Sequence, residues 1–138
     1  MLFALSHHFS QLNWLAVLVA TVITSGLGAL WYGPLFGKAW MRLVEKDPES
    51  LGSSTLPMVG SIVLNLITAV ILGVAVEALD IQHWPNGLAL GLGLGFGLYA
   101  CNLFSDFLWD GRPMKLCGIQ SGYRVLSATI IATILTAW

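Results

Sequence analysis

Four polar side chains stand in otherwise apolar sequence at spacings that could do chemistry. Asn102 and Asp106 are four residues apart, and so are Gln120 and Arg124. A four-residue interval places two side chains on one face of a helix. If the two helices are antiparallel neighbours, Asp106 meets Arg124 and the amides of Asn102 and Gln120 share the same polar seam. Such a seam can lock two helices together as an ion pair, with Arg124 reaching toward the nearer water layer. It can also line a cavity that binds an anion, a proton or a small solute. Asn65 and Thr68 would extend that cavity if they face it.

Other reactive types are sparse. Cys101 and Cys117 lack the Cys-x-x-Cys spacing of redox or metal sites. His7 and His8 are adjacent, so a helix points them apart, and His83 supplies no obvious third ligand. No nucleophile, base and orienting group stand together as acyl or phosphoryl transfer would require. The expectation is therefore no catalytic residue, no metal, no cofactor and no enzymatic activity. Gly87, Gly91, Gly93, Gly95 and Gly97 superficially resemble a phosphate loop. That loop joins a strand to a helix with its amides free, whereas this string lies inside a long apolar run. Gly87, Gly91 and Gly95 instead form one small-residue stripe, and Ser25, Ala29 and Gly33 form another. Stripes at this interval let helices approach closely in lipid.

The elements that carry these residues follow from composition. The chain has 138 residues, 57% hydrophobic and only 9% charged, with a net charge of −1 and a mean hydropathy of +0.80. A soluble domain carries roughly 25% charged residues, and a nucleic-acid binder would show a basic face. Neither description fits, so the expected surroundings are the lipid bilayer. Four runs have the roughly 20 apolar residues that a helix needs to cross a bilayer: about 12–33, 57–79, 85–109 and 116–137. Helices are required there because lipid offers the backbone no hydrogen-bond partner. Residues 1–33 hold no Lys or Arg and too long an apolar run for a signal peptide, and Met1 to Phe9 is too short to span.

Loop charge orients the spans. Lys38, Arg42 and Lys46 fall between the first and second spans, Arg112 and Lys115 between the third and fourth, and the opposite side has no Lys or Arg. The positive-inside bias makes those loops cytoplasmic and both termini outside, and the expected location is the plasma (inner) membrane. After Pro34, the spacing of Phe36, Ala39, Trp40, Leu43 and Val44 predicts a short amphipathic helix at the inner interface, ended by Lys46-Asp47-Pro48, with Lys38 and Arg42 on its other side. Trp14, Trp84 and Trp138 match an outer aromatic belt, and Trp31, Tyr32, Trp40 and Trp109 an inner one.

The run from Gly28 to Met41, the segment from Asp110 to Leu116 and the pair Gly122-Tyr123 resemble the domain of unknown function 1761 family, as does Asn13-Trp14-Leu15-Ala16-Val17. The Trp31-Tyr32-x-Pro34-x-Phe36-Gly37-x-x-Trp40 string carries most of the likeness. The resemblance implies a small integral membrane protein with no established activity, and it brings no catalytic residues. The family pattern would put serine in place of Gly33, asparagine in place of Gln120 and an apolar or aromatic residue in place of Arg124.

The sequence thus points to a single all-α membrane domain over 1–138, with four transmembrane helices and a cytoplasmic amphipathic helix between the first two. The leading functional expectation is a structural or interaction subunit that forms a homo-oligomer or joins a larger membrane complex. At least one of the two small-residue stripes should then be an intersubunit surface. The alternative is a small oligomeric transporter or channel built around Asp106 and Arg124.

Overall fold

The computed structural model describes residues 2–45, 49, 52 and 54–138, and every regular element among them is helical. In chain order these are α1 (Leu2–Ser10), α2 (Trp14–Leu30), α3 (Gly37–Leu43), α4 (Thr55–Ala78), α5 (Trp84–Leu94), α6 (Cys101–Asp110) and α7 (Met114–Ala137). A π turn, Trp31–Leu35, extends α2, and a second, Gly95–Ala100, joins α5 to α6 into one helical run.

Helix ends sit where the sequence supplies caps. Asn13 caps α2, its Oδ1 accepting from the Ala16 amide at 3.1 Å, and so satisfies one of the amides a helix start leaves free. Gly111 follows α6 at φ 66°, the left-handed conformation that closes a helix at least cost. Arg112 then folds back onto Asp106 at 3.4 Å and Asp110 at 3.5 Å, and Pro113 leads into α7. The sequence Asp110-Gly111-Arg112-Pro113 is therefore a tight turn that makes α7 run back along α6 and α5.

Three helical runs are long and apolar enough to cross a membrane: Trp14–Leu35, Thr55–Ala78 and Trp84–Asp110. The expected fourth, α7, has 24 residues but is less apolar than those three. Lys115, Gln120 and Arg124 lower its hydropathy most. α7 packs on α2, α4 and α5–α6, and eight of its residues are buried against five in α2 and four in α4. On the packed side of such a helix Ser and Thr can stand where a lipid-facing surface needs aliphatic side chains. Thr129, Thr133 and Thr136 each bond the carbonyl four residues back, so their hydroxyls are satisfied within the helix. The core is accordingly narrow, made of Val17 and Ala20 from α2, Ala69 and Leu72 from α4, and Ala128 and Ile131 from α7.

The stripe Gly87, Gly91 and Gly95 faces α7 within the chain. A Cβ on Gly87 would lie 2.7 Å from the Ala132 carbonyl oxygen, on Gly91 2.5 Å from Thr129 Cα, and on Gly95 2.9 Å from Val125 Cα. The contacted residues descend as the glycines ascend, so α7 is antiparallel to α5. Of the two expected stripes this one is a packing face within the chain, because backbone already occupies it.

Two details of the first loop differ from expectation. Pro34 does not open the short helix but lies inside the π turn, beside Gly33 at φ −102°, ψ −106°, and α3 starts at Gly37. Lys38 and Arg42 are exposed, while Ala39, Trp40 and Leu43 are half-buried. Lys46, and the Lys46-Asp47-Pro48 stop as a whole, lie outside the described residues.

Candidate functional site

The expected seam of Asn102, Asp106, Gln120 and Arg124 does not assemble. Asp106 is held by Arg112 rather than Arg124. Arg112 wins because the left-handed turn at Gly111 brings it back over the last turns of α6. Asn102 is exposed and donates to the Leu98 carbonyl of its own helix. Gln120 has its Oε1 buried without a hydrogen-bond partner, as does the Ser127 hydroxyl. Arg124 is exposed, with its guanidinium carbon 5.9 Å from the centre of the Tyr99 ring.

The polar network that does form involves other residues. Asn65 of α4 donates from Nδ2 to Ser25 Oγ of α2 at 3.2 Å and to the Tyr123 hydroxyl of α7 at 3.1 Å. That hydroxyl donates to the Thr24 carbonyl oxygen at 3.2 Å. One side chain from each of three helices is thereby satisfied in the interior, as buried polar groups must be. Ser25 is thus turned inward and leaves the stripe it was expected to share with Ala29 and Gly33. Thr68 bonds only the Leu64 carbonyl and takes no part. Asn65 was legible as the one amide in the apolar run of α4, but its facing depends on how α4 rotates against α2 and α7.

The motif residues explain themselves in the same region. Gly28 leaves room for Tyr123, whose hydroxyl would be 3.0 Å from a Cβ there, and Gly122 leaves room for Trp31, at 3.0 Å by the same measure. Trp31 lies across α7 and donates from Nε1 to the Ile119 carbonyl oxygen at 2.9 Å. Tyr32 meets both Trp40, 5.8 Å between ring centres, and Tyr123 at 5.4 Å, in edge-on geometry that suits the ring quadrupoles. Trp31 stacks obliquely on Phe36 at 4.7 Å, and Gly37 sits where a Cβ would be 2.6 Å from the Tyr32 carbonyl oxygen. Trp31, Tyr32 and Trp40 of the expected inner belt are therefore also packing residues, each half-buried. Trp109, by contrast, is 86% exposed.

A match to the family model described as "Protein of unknown function (DUF1761)" covers residues 15–136. The chain belongs to this family. No curated protein matches it, and no solved structure does. In this DUF1761 chain the Gly28 to Trp40 string and the Gly122-Tyr123 pair make one interlocked joint between α2, α3 and α7. Their work is to fix helix positions.

Depth gives the remaining charge its meaning. Val125 touches the position of Gly95, and Gly95 is close to the middle of the run Trp84–Asp110, so Arg124 is level with the centre of that run. A cation at the centre of a spanning helix costs about 2.5–3.5 kcal/mol on insertion scales, and a ring contact such as that with Tyr99 returns about 0.5–2 kcal/mol. Among the described residues no carboxylate lies within 4.0 Å of Arg124. The open groove of about 660 Å³ between α5–α6 and α7 runs past Gly122, Leu126 and Thr129, and the 100° step per residue puts Arg124 on the far side of α7 from it. That groove is apolar, and its hydroxyls of Ser121 and Thr129 are spent on their own helix.

Proposed function

We propose that this protein is an integral membrane protein in which α7 crosses the bilayer beside the three apolar runs. We further propose that it serves as a structural or interaction subunit of a membrane assembly and catalyses no reaction. The antiparallel course of α7 along α5–α6 supports the fourth crossing, because a neighbour packed along its length must share its depth. Lys38, Arg42, Arg112 and Lys115 are exposed at one end of the helices, which supports a cytoplasmic placement of that end and external termini.

The observation that carries the interaction reading is the outer face of α2. Val22, Gly26 and Ala29 are exposed along one side, and a Cβ on Gly26 or Gly33 would meet nothing within 4 Å. The stripe on α5 is spent on α7, whereas this face of α2 is open enough to admit another helix closely. A symmetric homodimer is the simplest assembly that uses one such face twice. The mass of the protein in mild detergent tests this. A dimer or larger species is expected, falling to a monomer in Gly26→Leu/Ala29→Leu with helical content unchanged. A monomeric wild-type chain overturns the reading.

A further inference from the structure

Arg124 carries its charge at mid-depth with no ion-pair partner among the described residues. It lies level with the middle of a 27-residue apolar helical run, exposed, with the Tyr99 ring at 5.9 Å and no carboxylate within salt-bridge distance among the described residues. The acid that its spacing pointed to, Asp106, is already engaged by Arg112. Two π turns converge on this level. Gly95–Ala100 carries Tyr99 to the guanidinium, and Trp31–Leu35 carries Tyr32 onto the ring of Tyr123, the residue before Arg124. π turns occur preferentially at functional positions, because the extra residue re-aims side chains that a regular helix would place elsewhere. On α7 itself, Gln120 and Ser127 flank Arg124 at four and three residues, and each keeps a buried polar atom with no partner.

From these positions we infer that the Arg124 side of α7 is a binding site for a phosphate oxyanion. The guanidinium offers a planar fork that matches two oxygens of such a group. The Tyr99 ring beside it leaves the charge un-neutralised, and away from bulk water the attraction to an anion is stronger, offset in part by the desolvation of both ions. A helical arginine points back toward the N-terminus of its helix, here toward the end that carries Arg112 and Lys115. The phosphate therefore approaches from the basic end, either as the headgroup of an anionic lipid or as a soluble phosphate. This inference rests on the spanning reading of α7 and is independent of the oligomeric one. Failure of the spanning reading would show separately, in labelling of the loops.

The test uses the purified full chain in dodecyl maltoside, a detergent without phosphate. Thermal melting is followed by circular dichroism while inorganic phosphate or phosphatidylglycerol is added at constant ionic strength. At least one of them is expected to raise the melting temperature. The concentration giving half the effect should rise about tenfold or more in Arg124→Gln and stay within about threefold of wild type in Lys115→Gln. A response to inorganic phosphate assigns the site to a soluble ligand, and a response to phosphatidylglycerol alone assigns it to a headgroup. Should Arg124→Gln fail to fold, Arg124→Lys decides, since it keeps the charge but loses the fork. A half-effect concentration raised in Arg124→Lys and unchanged in Lys115→Gln supports the site. Equal responses in wild type and the Arg124 variant overturn it. So does the absence of any response in wild type, and so does a dimer that Arg124→Gln splits without a ligand effect, because a carboxylate of a second copy would then be the counter-charge.

Discussion

The Tyr123 hydroxyl joins α7 to two other helices, accepting from Asn65 and donating to the Thr24 carbonyl. Tyr123→Phe removes both bonds, and an intramolecular hydrogen bond is worth about 1 kcal/mol net in water and about 0.6 kcal/mol between membrane helices. Tyr123→Phe and Asn65→Leu are each expected to lower stability by about 0.5–2 kcal/mol, and the double variant should lose less than their sum, because the two side chains share a bond. Denaturation in detergent reads this out, and strict additivity would remove the network. The carboxylate of Asp106 gives a contrasting case. It and Arg112 are 40% and 45% exposed, so their coupling should stay below about 1 kcal/mol. The pair Asp106→Asn and Arg124→Gln should be simply additive, the reverse of what a common seam demands.

Among the elements, α5 offers the sharpest comparison, because two glycines two residues apart meet opposite surroundings. A methyl on Gly91 would be 2.5 Å from Thr129 Cα and 2.7 Å from the Ala128 carbonyl oxygen, and both belong to backbone that cannot turn aside. A methyl on Gly93 would meet nothing within 4 Å. Gly91→Ala is expected to cost about 2 kcal/mol or more through forced separation of α5 and α7, whereas Gly93→Ala should be neutral or gain up to about 1 kcal/mol from helix propensity. Melting of the two variants side by side checks this; equal stability would mean that α5 and α7 are not in contact. The turn after α6 belongs to the same scale. Gly111 has φ 66°, so Gly111→Ala should lose about 1–2 kcal/mol from the left-handed backbone alone.

At the scale of the whole molecule the arrangement is asymmetric. α7 is ringed by α2, α4 and α5–α6, while α4 keeps Leu56, Val63, Leu64 and Ile71 exposed on its outer side, as suits a helix facing acyl chains. In a chain with Cys101 and Cys117 replaced by alanine, Gln82→Cys is expected to react with a membrane-impermeant maleimide on intact cells. Ser54→Cys should react only after the membrane is opened. The opposite pattern would invert the proposed orientation and would move the basic end outside.

Residue type and spacing were enough to locate the helices. The expected runs 57–79, 85–109 and 116–137 correspond to Thr55–Ala78, Trp84–Asp110 and Met114–Ala137, because a run of apolar side chains and its capping residues are local properties. Family membership was also legible in the Trp31 to Trp40 string and in Gly122-Tyr123. What those residues do was not legible. Gly28 and Gly122 show their purpose only when Tyr123 and Trp31 are seen occupying the space they leave. Pairing was decided by tertiary structure for a simple reason. A four-residue interval says that Asp106 shares a face with Asn102, and Arg124 with Gln120, but it says nothing about the rotation of α6 against α7. That rotation follows from the glycines of α5 seated on the backbone of α7 and from the left-handed turn at Gly111, which together give Asp106 to Arg112 and leave Arg124 beside an aromatic ring.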